Sequence, residues 1–344
     1  MKKSFFLSIL AVGALVACSK SEVVDTKFDQ AIGFENYVGR DAVTKAAVAT
    51  ISTLQDEEYA GIGLYGFYTG NDAAGWTAET NSNLWGNEKL AWNGTGFSYT
   101  DTKYWTNDTD QYTFFAYAPY SESAPSGTTV KDPAVSFTVD ETIEDQIDLL
   151  YSNNKLNTKK TENASGVSLI FNHALSRITV KATENEAQYD YTIYGVSISG
   201  QFNTTGSLKL SDNSWDATAA PAEYKFLEAT DTKVPVTAEG VDFAGDDNYL
   251  MIIPTTFTAE APATLTVTYT TTYDGHESTP MTKSVKVAQE FAQGKAYSIN
   301  LAFAPNQENE ITFTVTVNDW EDEEGNKNEE TTVTPNPSNP EMGE

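Results

Sequence analysis

Few residues in this chain are equipped for chemistry, and the first is a lone thiol. Cys18, the only cysteine, follows Lys2 and Lys3 and an apolar run, Phe5 to Val16, broken only by Ser8 and Gly13. That run is too short to cross a bilayer as a stable helix and has the proportions of an export signal. Leu15-Val16-Ala17 ends it with residues a peptidase can seat. A thiol in that place is a lipid acceptor, so residues 1–17 are expected to be a lipoprotein signal peptide and Cys18 the site of palmitate attachment. The plainer reading is an ordinary signal peptide with an incidental cysteine, but no second cysteine exists for it to pair with.

Catalytic chemistry finds little material. His173 and His276 are the only histidines, they lie far apart, and no Gly-x-Ser-x-Gly elbow accompanies the serines. The pair His173 and Arg177 reads as lying on one strand with no nearby acid of clear purpose, and His276 beside Asp274-Gly275 reads as a turn residue. Two distant histidines give no zinc spacing. Asp242 with Asp246-Asp247-Asn248, and Asn107-Asp108 with Asp110, are the best oxygen clusters, yet neither has the alternation and closing Glu of a twelve-residue calcium loop. No catalytic residue, metal or cofactor is expected, and the chain is not read as an enzyme. Trp76, Trp85, Trp92 and Trp105, four of the six tryptophans, crowd one segment. Exposed, they would stack against the apolar faces of sugars; buried, they are core.

Charge narrows the partners. The formal net charge is −28, which repels phosphate backbones and anionic headgroups and argues against nucleic acid. Only Arg40 and Arg177 carry guanidinium groups. Compositional bias explains such scarcity, and so does placing one cleavable arginine where cutting is wanted.

The elements that must position these residues are strands. Leu265, Val267 and Tyr269 alternate with Thr264, Thr266, Thr268 and Thr270, and Ile311, Phe313, Val315 and Val317 alternate with threonines in the same way. This is the period of antiparallel strands with one wet face. Gly61 to Tyr68, Gln111 to Ala118, Tyr191 to Ser199 and Tyr249 to Ile253 are similarly rich in aromatic and β-branched residues, and Asn93-Gly94 and Tyr273-Asp274-Gly275 mark turns. Glu141 to Leu150 predicts a short helix or an approach to a strand. The expected fold is all-β, two tandem antiparallel β-sandwich domains. The expected boundaries are 18–45 for a tether and first strand, 46–173 and 174–320 for the two sandwiches, and 321–344 for an acidic, Pro/Asn-rich tail with too few apolar groups to pack. In the first strand, Ile32, Phe34 and Val38 share one face and can fill a sandwich core. Their loss would leave an apolar groove and unpaired backbone, a template for strand addition.

Phe171-Asn172-His173-Ala174-Leu175 resembles the F-x-H-x-L motif of bacterial fimbrillins, the subunits of type V pili. Asp148-Leu149-Leu150-Tyr151, the aromatic run Gln111 to Pro119, Leu250 to Pro254, Phe291 to Tyr297 and Val317-Asn318-Asp319-Trp320 are similar to family elements in the same order. The resemblance implies transthyretin-like (Ig-like) sandwiches and a lipid-anchored precursor at the cell outer membrane. It also implies proteolysis that removes the first strand after a basic residue, here Arg40 or Lys45. The vacated groove then takes a strand from another fimbrial subunit. Lys45 departs from the arginine the resemblance leads one to expect. Ile311, Phe313, Val315 and Val317 are the expected donor strand, with Thr331 to Thr334 a weaker second. The expected role is a structural or accessory fimbrial subunit supporting adhesion. The alternative is a non-polymerising outer-membrane lipoprotein that binds glycan or host protein.

Overall fold

A computed structural model describes residues 30–38, 54–56, 60–152, 155–184, 189–228, 233–243, 249–303 and 311–320. Cys18, Arg40, Lys45, Asp246 to Asn248 and the tail 321–344 lie outside the described residues. The regular structure of the described residues is nearly all β-strand. Over Glu141 to Leu150, the stretch expected to form a short helix or an approach to a strand, the chain makes one 3-10 turn, Ile143–Asp145, and enters a strand at Leu150.

The first sheet has eight strands. In chain order its principal members are β1 (Phe34–Val38), β2 (Ile62–Gly70), β3 (Trp85–Trp92) and β4 (Gln111–Ala118). Then β5 (Ala134–Thr138) leaves for another sheet, and β6 (Leu150–Ser152), β7 (Lys155–Thr158) and β8 (Val167–His173) return to the first. The order across it is β1-β8-β6-β4-β2-β3, with Phe97–Ser98 beyond β3 and β7 beside β4. Its central strand β4 is covered on both faces: Tyr112, Phe114, Ala116 and Ala118 belong to one apolar cluster, Phe115 and Tyr117 to another. Burial on two sides is why this strand is continuously apolar rather than alternating.

The second half is a sandwich. After β8 the chain turns through Ala174-Leu175 into β9 (Ser176–Glu184), which belongs to a different, five-stranded sheet. Next come β10 (Asp190–Lys209), β11 (Trp215–Leu227), β12 (Leu250–Ile252), β13 (Ala263–Tyr273), β14 (Met281–Val287), β15 (Lys295–Phe303) and β16 (Ile311–Asp319). One sheet is built around β11-β10-β13, with β14 and β5 added; the other runs Val241–Asp242, β9, β15, β16, with β12 on β9. Ile178, Val180 and Ala182 of β9 and Ile299 and Leu301 of β15 share one buried core with Ile193, Val196 and Ile198 of β10 and Leu265, Val267 and Tyr269 of β13. Thr266 and Thr268 of β13 pair with hydroxyls of β14, Thr266 with Ser284 and Thr268 with Thr282, whereas Thr270, expected on the wet face, is buried together with Thr271. The Asp274-Gly275 turn has φ of 49° and 76°, the left-handed pair a tight hairpin needs.

Two pairings depart from the expected antiparallel rule. β1 runs parallel to β8, and β9 runs parallel to β15. Neither pair is joined by a hairpin, so neither is confined to the antiparallel sense.

Candidate functional site: the seat of the first strand

β1 occupies the end of the first sheet and has β8 as its only ladder partner among the described residues, in a register from Phe34↔Val167 to Val38↔Phe171. Just before it the chain is gripped on the other side. The Ile32 N–H donates to Lys103 O at 2.9 Å and the Trp105 N–H donates to Gln30 O at 3.1 Å, so the loop 103–105 acts as a second rail. Tyr99 Oη donates to Ile32 O at 2.6 Å, and the Val167 N–H donates to Gly33 O at 2.8 Å.

The side chains complete the seat. Ile32 is wholly buried, and Phe34 is 8% exposed. The Phe34 ring meets Trp85, Tyr99 and Phe114 edge-on, with centroids 5.7, 6.1 and 5.5 Å away. Val167, Leu169 and Phe171 of β8 belong to the same cluster. Edge-to-face geometry sets positive ring edges against negative faces and adds to the gain from burial. Of the three residues expected to fill the core, Ile32 and Phe34 do so; Val38 is placed by backbone register alone.

A buried carboxylate holds the second rail in shape. Asp110 Oδ2 accepts hydrogen bonds from Tyr68 Oη and Thr106 Oγ1, while Asn107 Oδ1 caps the turn by accepting from the Thr109 and Asp110 N–H groups. Burial pushes the Asp110 carboxyl up, but the side chains of Thr106, Tyr68 and Asn107 hold it below its ordinary value. A carboxyl depressed in the folded state contributes stability that is present above its unfolded value and lost as pH falls through the folded one. Acidification below about pH 4 should therefore lower the urea midpoint of the protein, and Asp110→Asn should lose that part of the pH dependence. Equal acid slopes in the two proteins would contradict this role for Asp110. The other member of that acidic group, Asp108, stands 3.7 Å from Lys160, and Asp242 stands 3.2 Å from Lys181. No group with a metal-holding arrangement occurs among the described residues.

The tryptophans do not form a platform. Trp85 is 2% and Trp105 1% exposed, both inside the seat of the first strand, where Trp85 Nε1 donates to Asp101 O at 2.9 Å. Trp76 packs partly buried against Phe67 and Phe115 in the other core, and Trp92 pairs with Phe97 at the sheet's far edge. Four rings brought together in sequence are thus divided among three environments.

His173 and Arg177 are not on one strand: His173 is the last residue of β8 and Arg177 the second of β9, on either side of the turn. An acid does face His173, since its Nδ1 lies 2.8 Å from Asp148 Oδ2, with both residues buried. Motif spacing missed Asp148 as a partner because the loop before β6 brings it in from 25 residues away. His276 is exposed in its hairpin turn. The expected donor, β16, is seated in its own sheet as an edge strand antiparallel to β15, with Ile311 and Val315 buried and Phe313 and Val317 half-buried.

The fold has a counterpart among solved structures. A fimbrial protein from Bacteroides vulgatus ATCC 8482 matches with a TM-score of 0.68 over 84% of this chain and 99% of its own, at 22% identity. Residues 47–320 match the fimbrillin-like family, and the chain belongs to that family. The fimbrium subunit Fim1C of Phocaeicola vulgatus ATCC 8482 is 26% identical over 251 residues, 65% of this chain. The match spans 64% of Fim1C, less than two thirds of that relative's length.

Proposed function

We propose that this protein is a structural or accessory subunit of a cell-surface fimbria, exported as a lipoprotein and assembled by β-strand exchange once its first strand is cut away. The observation that carries the reading is the seat of Ile32 and Phe34. Both fill a groove in the first sheet; β1 itself is laddered along one edge only, and the residues just before it are held to the loop 103–105 by a few backbone bonds. Such a strand can leave without unravelling the strands behind it, and its departure exposes β8 backbone and the Trp85, Tyr99 and Phe114 rings together. Unpaired backbone beside an apolar groove is the template for strand addition. The family match begins at residue 47, downstream of the first strand and of Arg40 and Lys45. Cys18 would tether the precursor to the outer membrane until cleavage.

The test is to digest the purified full-length protein with a protease that cuts after arginine and lysine, then examine it unheated in detergent. A ladder of oligomers that forms only after residues 1–40 or 1–45 have left is expected. Persistent monomer after complete loss of those residues contradicts strand exchange and favours the non-polymerising lipoprotein. The tryptophans give that alternative no support through a sugar platform, because Trp85 and Trp105 are buried.

A further inference from the structure

Among the described residues β16 is the last strand and lies at a sheet edge: its one backbone partner there is β15, from Lys295↔Asp319 to Phe303↔Ile311. A strand laddered on one side opens more readily than the sheet behind it. The residue that ends it is held differently. Trp320 is 2% exposed, and its N–H donates to Gly294 O at 3.0 Å. Its indole lies flat on the His173 ring, with centroids 4.2 Å apart and 4° between planes. The Arg177 guanidinium stands 5.7 Å from the indole and 4.4 Å from the Tyr249 ring. Asp148 holds the edge of the His173 imidazole, its Oδ2 2.8 Å from Nδ1. Since His173 belongs to β8, the stack ties the end of β16 to a sheet other than the one in which β16 is laddered.

We propose that Trp320 is a latch: stacked on His173 beside Arg177, it holds the C-terminal strand closed, and its withdrawal frees β16 for a second subunit. This rests on the strand-exchange reading with β16 as donor. The contact is strong through aromatic and cation–π packing in a desolvated place. Its weak point is also visible: Trp320 Nε1 is buried with no acceptor among the described residues. Release rehydrates that N–H, which lowers the cost of opening.

The test is hydrogen exchange, read peptide by peptide, on the full-length protein and its Trp320→Ala, Trp320→Phe and His173→Ala variants. Trp320→Ala should speed exchange over 311–319 by about tenfold or more, since removing a buried Trp side chain is among the costliest truncations. β2 and β4 should keep their protection, Trp320→Phe should stay close to the native protein, and His173→Ala should repeat the local pattern from the other side of the stack. Uniform acceleration throughout the chain, or unchanged exchange over 311–319, overturns the latch. Assembly after cleavage separates the two ideas. Oligomers that form equally fast with and without the stack overturn the latch, whereas a freed β16 in a cleaved protein that stays monomeric overturns strand exchange by β16.

Discussion

Phe34→Ala should cost about 3–5 kcal/mol, with the loss concentrated in the first strand. Phe34 is nearly buried and touches three aromatic rings from β3, β4 and the loop after Phe97–Ser98, so truncation empties a cavity whose walls belong to separate elements. Such walls collapse poorly, which places the cost toward the upper end of the range. β1 has five register pairs with β8, too short a ladder to stay seated without its apolar anchors. Hydrogen exchange over residues 34–38 should approach that of an open strand, while β13 and β15 in the second half keep theirs. Glu35→Ala at the exposed neighbouring position should change stability by less than about 0.5 kcal/mol. A loss below about 1 kcal/mol for Phe34→Ala, or one spread evenly over the chain, would show that β1 does not fill the groove.

The second large effect falls on assembly. A protein carrying both Arg40→Ala and Lys45→Ala should retain its first strand and lose the oligomer ladder entirely. The chain's other arginine cannot substitute. Arg177 is 6% exposed within β9, which is paired to β15 on one side and β12 on the other. A protease needs an extended, unpaired segment, so the folded protein withholds Arg177. Single substitutions at Arg40 and at Lys45 identify the bond, since the one that matters should reproduce most of the double variant's loss. A ladder of normal length from the double variant, read on unheated detergent gels of the surface fraction, would refute cleavage-gated assembly.

Much of the fold was legible where one face of a strand is wet. β13 is buried as its alternation predicts from Ala263 to Tyr269, though not at Thr270 and Thr271, which are buried, and its Asp274-Gly275 turn adopts the backbone its residues favour. Ile32 and Phe34 stood out for the same reason. The long strand β10 and its partner β11 were largely missed beyond Ser199. Asp216-Ala217-Thr218-Ala219-Ala220-Pro221 has low strand propensity and is held in the ladder by register with β10, not by its own preference. The parallel pairing of β1 with β8 has no local signal, because the partners are separated by more than a hundred residues and no turn joins them. The His173–Arg177 spacing misled for another reason. The break at Ala174-Leu175 contains neither Gly nor Pro and is made by distant backbone, with the Ala174 N–H donating to Leu149 O and the Gly294 N–H to Leu175 O. Clustering in sequence likewise could not tell which face each tryptophan occupies, and burial decided that for Trp85 and Trp105.

The most direct measurement is N-terminal sequencing of the protein recovered in assembled form from the surface of intact cells. A start at Asp41 or Ala46 is the predicted result, since it means that Ile32 and Phe34 have left and their groove has been given to another strand. A blocked, lipidated Cys18 throughout the assembled population would contradict the account, because the first strand would still be seated in every subunit.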